Sequence, residues 1–111
     1  MSPRTREAYE RIKGARREEI LTAARRVFAR NGLAATRISD LAAEAHISQG
    51  LLYHYFPDKE ALFTAIVEGA LKDSIGKVEE ISPDKKKVKL IVSMFGRPTP
   101  MEIDAQSLLA I

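Results

Sequence analysis

From Ser48 to His54 the chain reads Ser-Gln-Gly-Leu-Leu-Tyr-His, a run of hydroxyl, amide, aromatic and imidazole groups without an acid. Such groups donate, accept and stack, which is the chemistry of recognition rather than of bond making. His46 and His54 stand eight residues apart with no Cys in the chain and no carboxylate cluster beside them, so no metal site is expected. Nor is there a Ser/His/Asp arrangement, a phosphate-cradling glycine loop or a recognisable carboxylate pair. The expectation is a binding protein without cofactor, not an enzyme.

The stretch from Ala35 to Phe56 must hold these groups in place. Ile38, Leu41, Ala42 and Ala45 recur at helical spacing, with Ser39, Asp40, Ala43 and Glu44 on the other faces. His46-Ile47 breaks that pattern, and Ser48 stands where a hydroxyl caps a new helix from Gln49 to Tyr55. Ile47, Leu52 and Phe56 anchor this second helix, Tyr55 is expected to be partly buried, and Gln49, Gly50, Leu51, Tyr53 and His54 are left outward. Two short helices with a tight turn read as a helix-turn-helix, and an outer face of this kind suits a phosphate backbone. Thr36, Arg37 and Ser39 open the first of the two helices, where backbone N–H groups meet phosphate, and Ser48 does the same for the second. Thr36 is the expected cap of the first.

Charge supports this placement. The 111 residues carry a net charge of only +3, but residues 1 to 37 hold ten Lys/Arg against four Glu, a balance of +6, which leaves −3 for the rest. A basic arm and first helix ahead of a helix-turn-helix suit duplex DNA, although Arg/Glu pairs such as Glu18 with Arg25 and Arg26 are expected to occupy part of that charge. The absence of Cys, of a secretion-type apolar leader and of a membrane-length apolar run leads us to expect a cytoplasmic protein without membrane contact.

The spacing predicts a first helix from about Arg4 to Arg30, with Ile20, Ala24, Val27 and Phe28 on one face and Asn31-Gly32 as its end. After the helix-turn-helix, Asp58 caps a fourth helix whose stripe of Leu62, Phe63, Ile66, Val67, Ala70 and Leu71 runs to about Asp73 and is expected to pack on the first. Beyond Ser74 the period changes to two. Lys77 to Ile81 is one expected strand, Ser82-Pro83-Asp84-Lys85 a turn, Lys87 to Ser93 a second strand, Gly96 to Pro100 a break, Met101 to Asp104 a third, and Leu108, Leu109 and Ile111 a short last one. Lys85-Lys86-Lys87 reads as a solvated edge. The expected class is α+β, with about four helices over residues 1–74 and an antiparallel meander of three or four strands over 75–111.

Two resemblances sharpen this. Gly32-Leu33-Ala34-Ala35-Thr36, Asp40-Leu41-Ala42, Ile47 to Phe56 and Asp58-Lys59-Glu60-Ala61-Leu62 resemble the DNA-binding domain of TetR-family transcriptional repressors. That resemblance implies base reading by Gln49, Gly50 and Leu51, with His54 exposed on the same helix, and phosphate contacts from Tyr53 and Lys59. His46 stands where the family has a turn glycine, and Arg37 where it has a capping hydroxyl. The family's large ligand-binding and dimerising domain has no counterpart here, so no small-molecule effector is expected. Gly76 to Ile81, Lys89 to Arg97 and Thr99 to Asp104 resemble the C-terminal KOW domain of NusG elongation factors, without its opening strand. In those proteins the loop matching Met94, Phe95 and Arg97 binds a ribosomal protein and Rho; without that strand, Met94 and Phe95 are expected to fill core instead. Two fragments abutting near Ser74 to Gly76 suggest a recombined or engineered chimera with an incomplete barrel. Its open edges are expected to pair between chains and make a homodimer.

Overall fold

A computed structural model describes residues 4–70, 76–94 and 96–109. Helix α1 (Arg4–Ala35), α2 (Ile38–Ala45), α3 (Gln49–Tyr55) and α4 (Lys59–Ala70) are followed by strands β1 (Gly76–Ile81), β2 (Lys87–Met94) and β3 (Arg97–Asp104), and by one helical turn, α5 (Ala105–Leu108). The architecture is the expected α+β, a helix-turn-helix bundle ahead of a small antiparallel sheet.

Helix α1 buries Ile20, Ala23, Ala24, Val27 and Phe28 at helical spacing, while Arg16, Arg17, Glu18, Arg25 and Arg26 are exposed. At Gly32 the backbone turns to φ 77°, ψ 159°, which ends the regular helix before one further turn through Ala35. Phe28 meets Phe63 of α4 edge to face with ring centroids 5.6 Å apart. Leu62, Phe63, Ile66 and Val67 complete the buried stripe of α4, as its spacing implies. The Ala70 side chain and Leu71 to Ile75 lie outside the described residues, and with them the joint at Ser74.

The sheet has the order β1-β2-β3 and both pairings are antiparallel. It stays open. Val88 and Leu90 turn inward from β2 and are buried, with Val78, Ile81, Val92 and Ile103 packed around them. All belong to one hydrophobic core that also contains Ile20, Phe28, Leu41, Leu52 and Phe63. The tail therefore folds onto its own helices. Val78 N–H donates to Glu68 of α4 at 3.4 Å, and Lys85 pairs with Glu60 at 3.3 Å.

Two expectations for the tail need correction. Pro98 to Pro100 do not break the chain; they lie within β3, opposite Ser93, Val92 and Ile91. An edge strand tolerates proline because the missing N–H faces away from its neighbour. The last segment is also not a strand. Asp104 turns the chain into α5, which buries Ala105 and Leu108, followed by buried Leu109, and sends the Gln106 side-chain amide to the Ala29 carbonyl at 2.8 Å. Ala105 N–H bonds the Lys86 carbonyl at 2.8 Å, tying the end of the sheet to the β1–β2 turn. Ile111 lies outside the described residues.

Both outer edges of the sheet are poor templates for a second chain. Pro98 and Pro100 remove donors from β3, and β1 carries a bulge between Val78 and Glu80 while Glu68 takes its Val78 N–H. The expectation of strand pairing between chains thus meets a sheet whose face is spent on its own helices and whose edges are blunted.

Candidate nucleic-acid interface

The turn between α2 and α3 rests on His46, which adopts φ 58°, ψ 42° and closes α2 through its N–H to the Ala43 carbonyl at 3.2 Å. Ile47 N–H follows to the Ala42 carbonyl at 3.0 Å. A left-handed turn normally favours glycine, so His46 is a structural residue held there at some cost in conformational energy. Ser48 then caps α3, its Oγ accepting from Leu51 N–H at 3.1 Å. A hydroxyl that accepts in this way retains its proton to donate outward.

Leu52 is fully buried and Phe56 nearly so, and Ile47 and Tyr55 pack against the same core. These four fix the rotation of α3. Gln49, Gly50, Tyr53 and His54 are left exposed and Leu51 half-buried, with no acid among the helix's residues. Tyr53 is 50% exposed, unusual for so large a side chain in a small helical bundle. The His54 ring stands edge-on to Tyr55 at 5.5 Å, which steadies it on the outer face. At Gly50 an added Cβ would meet only Ser48 Oγ, at an ordinary 4.0 Å. Nothing inside the chain requires a glycine there. What it provides is a bare backbone on the exposed side of the helix.

The first helix of the pair opens differently from the expectation. Thr36 does not cap it: the residue is 2% exposed and its Oγ1 donates to the Gly32 carbonyl at 2.6 Å. Burial removes its hydroxyl from any surface contact, so Thr36 leaves the set of phosphate candidates. Arg37 is the N-cap, and Asp40 satisfies the helix start by accepting from Arg37 N–H at 3.0 Å. Arg37 and Ser39 are exposed as expected.

Lys59 is turned inward. Its ammonium donates to the carbonyls of Leu33, Ala34 and Thr36 at 2.8, 3.2 and 2.9 Å, so all three protons are used within the chain. The lysine at the start of α4 thereby closes the carbonyl-rich end of α1, and phosphate contact by it would require breaking these bonds. Asp58 caps α4 as read, accepting from Ala61 N–H at 2.7 Å.

Three further features escaped the sequence reading. Arg26 Nε and Arg30 Nη2 grip Glu44 of α2 at 3.2 and 2.8 Å, lowering the Glu44 carboxyl below its ordinary range, chiefly through the Arg30 bond. Glu18 lies instead 3.8 Å from Arg17. The Arg17 guanidinium also sits 5.2 Å over the Phe56 ring, placing a cation beside the end of α3. Glu44 and Phe56 lie in or at the end of elements other than α1, and helical spacing alone does not announce these two contacts.

Of the NusG-like loop, Arg97 is exposed and pairs in register with Met94. Phe95 and the Met94 side chain lie outside the described residues. Gly96 holds φ 76°, as the tight reversal into β3 needs. Among the described residues no group of His, Asp and Glu is placed to hold a metal ion, and no helix is long and apolar enough to cross a membrane.

A capped, outward-facing helix joined to a second short one by a left-handed turn defines the helix-turn-helix class. Residues 20–66 match the profile of bacterial regulatory proteins of the tetR family. The chain is 45% identical over 69 residues to the transcriptional repressor KstR2 of Rhodococcus jostii, covering 62% of this chain and 34% of KstR2. A solved structure assigned to the TetR family of transcriptional regulators, from Mesorhizobium loti, superposes with a TM-score of 0.51 at 30% identity, over 55% of this chain and 30% of that one. A second similarity spans 39 residues, at 49% identity to the transcription termination/antitermination protein NusG of Thermus thermophilus, covering 35% of this chain and 21% of NusG. The chain thus joins a TetR-like segment to a NusG-like one, and spans about a third of KstR2 and a fifth of NusG.

Proposed function

We propose that the chain is a duplex DNA-binding module of the transcription-regulator kind, with α3 entering the major groove. Gln49, Leu51 and His54 read base edges, Gly50 lets the backbone approach, and Arg37, Ser39, Ser48 and Tyr53 hold the phosphates. The observation that carries this reading is the outer face of α3: amide, glycine, phenol and imidazole together, acid-free, on a helix whose other side is locked by Leu52 and Phe56. Glutamine pairs bidentately with adenine and leucine meets a thymine methyl. Lys59 acts by holding α4 against the end of α1, not as a free phosphate ligand. The reading includes no catalysis and no effector, and places the protein in the cytoplasm where DNA is.

Selection from a random duplex library, followed by anisotropy titration at several salt concentrations, tests it. Tyr53→Phe should weaken binding to all sequences alike and leave the salt dependence nearly unchanged if the phenol lies against phosphate, because the hydroxyl is a neutral donor. Gln49→Ala should relax preference at one base pair by about 1–3 kcal/mol. Unchanged binding in both variants overturns the reading.

A second reading is favoured by the shared core, in which Val88, Leu90 and Leu108 of the NusG-like half pack with Phe28 and Phe63 of the other. On that reading the chain is a fold chimera whose parts kept their local structure without their activities. It predicts a cooperative melt with no duplex preferred over non-specific sequence.

A further inference from the structure

We infer that the β1–β2 turn adds a contact of its own to duplex DNA: Lys86 reaches the phosphate backbone flanking the site covered by the helix-turn-helix, while Lys85 neutralises the acid that would oppose it. The inference rests on the DNA-binding reading above and extends it to a residue of the NusG-like half.

The turn is built to hold its lysines apart. Asp84 accepts from the Ser82 hydroxyl at 2.5 Å and from Lys86 N–H at 3.0 Å, Lys85 N–H reaches the Ser82 carbonyl at 2.9 Å, and Lys85 takes a left-handed φ of 63°. The Lys86 carbonyl is pinned by Ala105 N–H at 2.8 Å. The fixed backbone thus sets Lys85 and Lys86 at one cleft and Lys87 at a separate groove. Lys85 goes to Glu60 in the first turn of α4, at 3.3 Å. Lys86 is exposed at the rim of a cleft of about 260 Å³, whose other wall is Ala34 and Ala35, just before the exposed Arg37. Lys87 lines a separate groove with Glu80, Lys89 and Glu102 on the far face of the sheet.

The turn thus stands beside the first turn of α4, through Lys85 and Glu60, and beside Ala34 and Ala35, just ahead of the start of α2 that the proposed function turns toward phosphate. Among acids nearby, Glu60 is paired with Lys85, Asp84 is held by the Ser82 hydroxyl and the Lys86 N–H, and Asp104 lies opposite Lys87 in register while also lining the cleft. Lys86 is the exposed lysine of this cleft, across from Ala34 and Ala35, which precede Arg37 in the chain. The phosphate backbone of the same duplex is the polyanion that a cation there would meet.

The opposite placement of Lys86 and Lys87 supplies the test. A selected duplex is prepared in two lengths, one trimmed to the helix-turn-helix contacts and one longer by about half a helical turn on each side. Lys86→Gln should reduce the slope of log K against log[salt] by about 0.9 on the longer duplex, a roughly threefold difference in the affinity lost between 50 and 200 mM salt, and leave the shorter duplex unaffected. Lys87→Gln removes the same charge on the far face and should change neither, and Lys86→Arg should restore the wild-type slope. If wild-type binding depends on Gln49 and Tyr53 but Lys86→Gln and Lys87→Gln behave alike, this inference falls and the DNA-binding reading stands. A wild-type chain that prefers no duplex overturns both.

Discussion

Gly50 separates stability from recognition at a single position. Because an added methyl would meet only Ser48 Oγ at 4.0 Å, Gly50→Ala should strain nothing and should stabilise α3 by up to about 0.5–1 kcal/mol through the lower entropy of the unfolded chain. In the proposed DNA complex the same methyl would stand between the helix and a base edge. The expected outcome is a melting temperature raised by a few degrees together with weaker duplex binding, read from calorimetry and anisotropy on the same sample. Binding that stays level while stability rises would remove Gly50 from the interface. Glu44 offers a pH test of the fold beneath it. Its folded pKa lies below the ordinary 4.5 because Arg30 and Arg26 bond the carboxylate, so its contribution is present above that value and lost as pH falls through the lower, folded one. The melting-temperature gap between wild type and Glu44→Gln should therefore be widest near about pH 6 and close toward about pH 3. A gap that does not narrow would show that the arginine fork contributes nothing to stability.

Among the elements, the helices were legible because burial forces their period. Ile20, Ala24, Val27 and Phe28, then Leu62, Phe63, Ile66 and Val67, had one geometry in which all are covered, and Ser48 and Asp58 each cap as their position implies. The tail was only partly legible. Proline reads as a break when its neighbours are unknown, yet Pro98 and Pro100 sit in β3 because that strand is an edge, a property of the sheet rather than of the segment. Leu108 and Leu109 suited a strand equally well until α1 supplied a surface on which one helical turn buries both. Lys59 shows the limit at the site itself: its position at a helix start suggested phosphate, and only the approach of Leu33, Ala34 and Thr36 carbonyls decides otherwise. Replacing it should therefore damage the fold without DNA present. Lys59→Met leaves three carbonyls without their shared charged donor, an expected loss of about 1.5–3 kcal/mol and a melting temperature lower by roughly 10 °C. A lysine kept only for phosphate would leave the free protein's melting temperature unchanged.

For the whole molecule the central fact is that one core serves both halves. Leu90 and Leu108 share one core with Phe28 and Leu52, so the sheet gives its apolar inner face to the helices and keeps a charged outer face with Lys87, Lys89, Glu80 and Glu102. Pairing of the sheet with a second chain would have to run through its edges, and both resist it: β3 lacks donors at Pro98 and Pro100, while β1 is bulged and its Val78 N–H is taken by Glu68. We therefore expect a monomer by light scattering across a hundredfold range of concentration, melting in one transition seen alike by helical and sheet signals. A single helix-turn-helix covers one half-site and depends heavily on phosphate contacts for its affinity. Selected duplexes should then carry one short motif and not a palindrome, with binding that falls steeply as salt rises. A concentration-dependent dimer bound to a two-fold site would show instead that the chain associates through a surface other than the blunted sheet edges, with Ile12 of α1, which is 61% exposed, the first place to look.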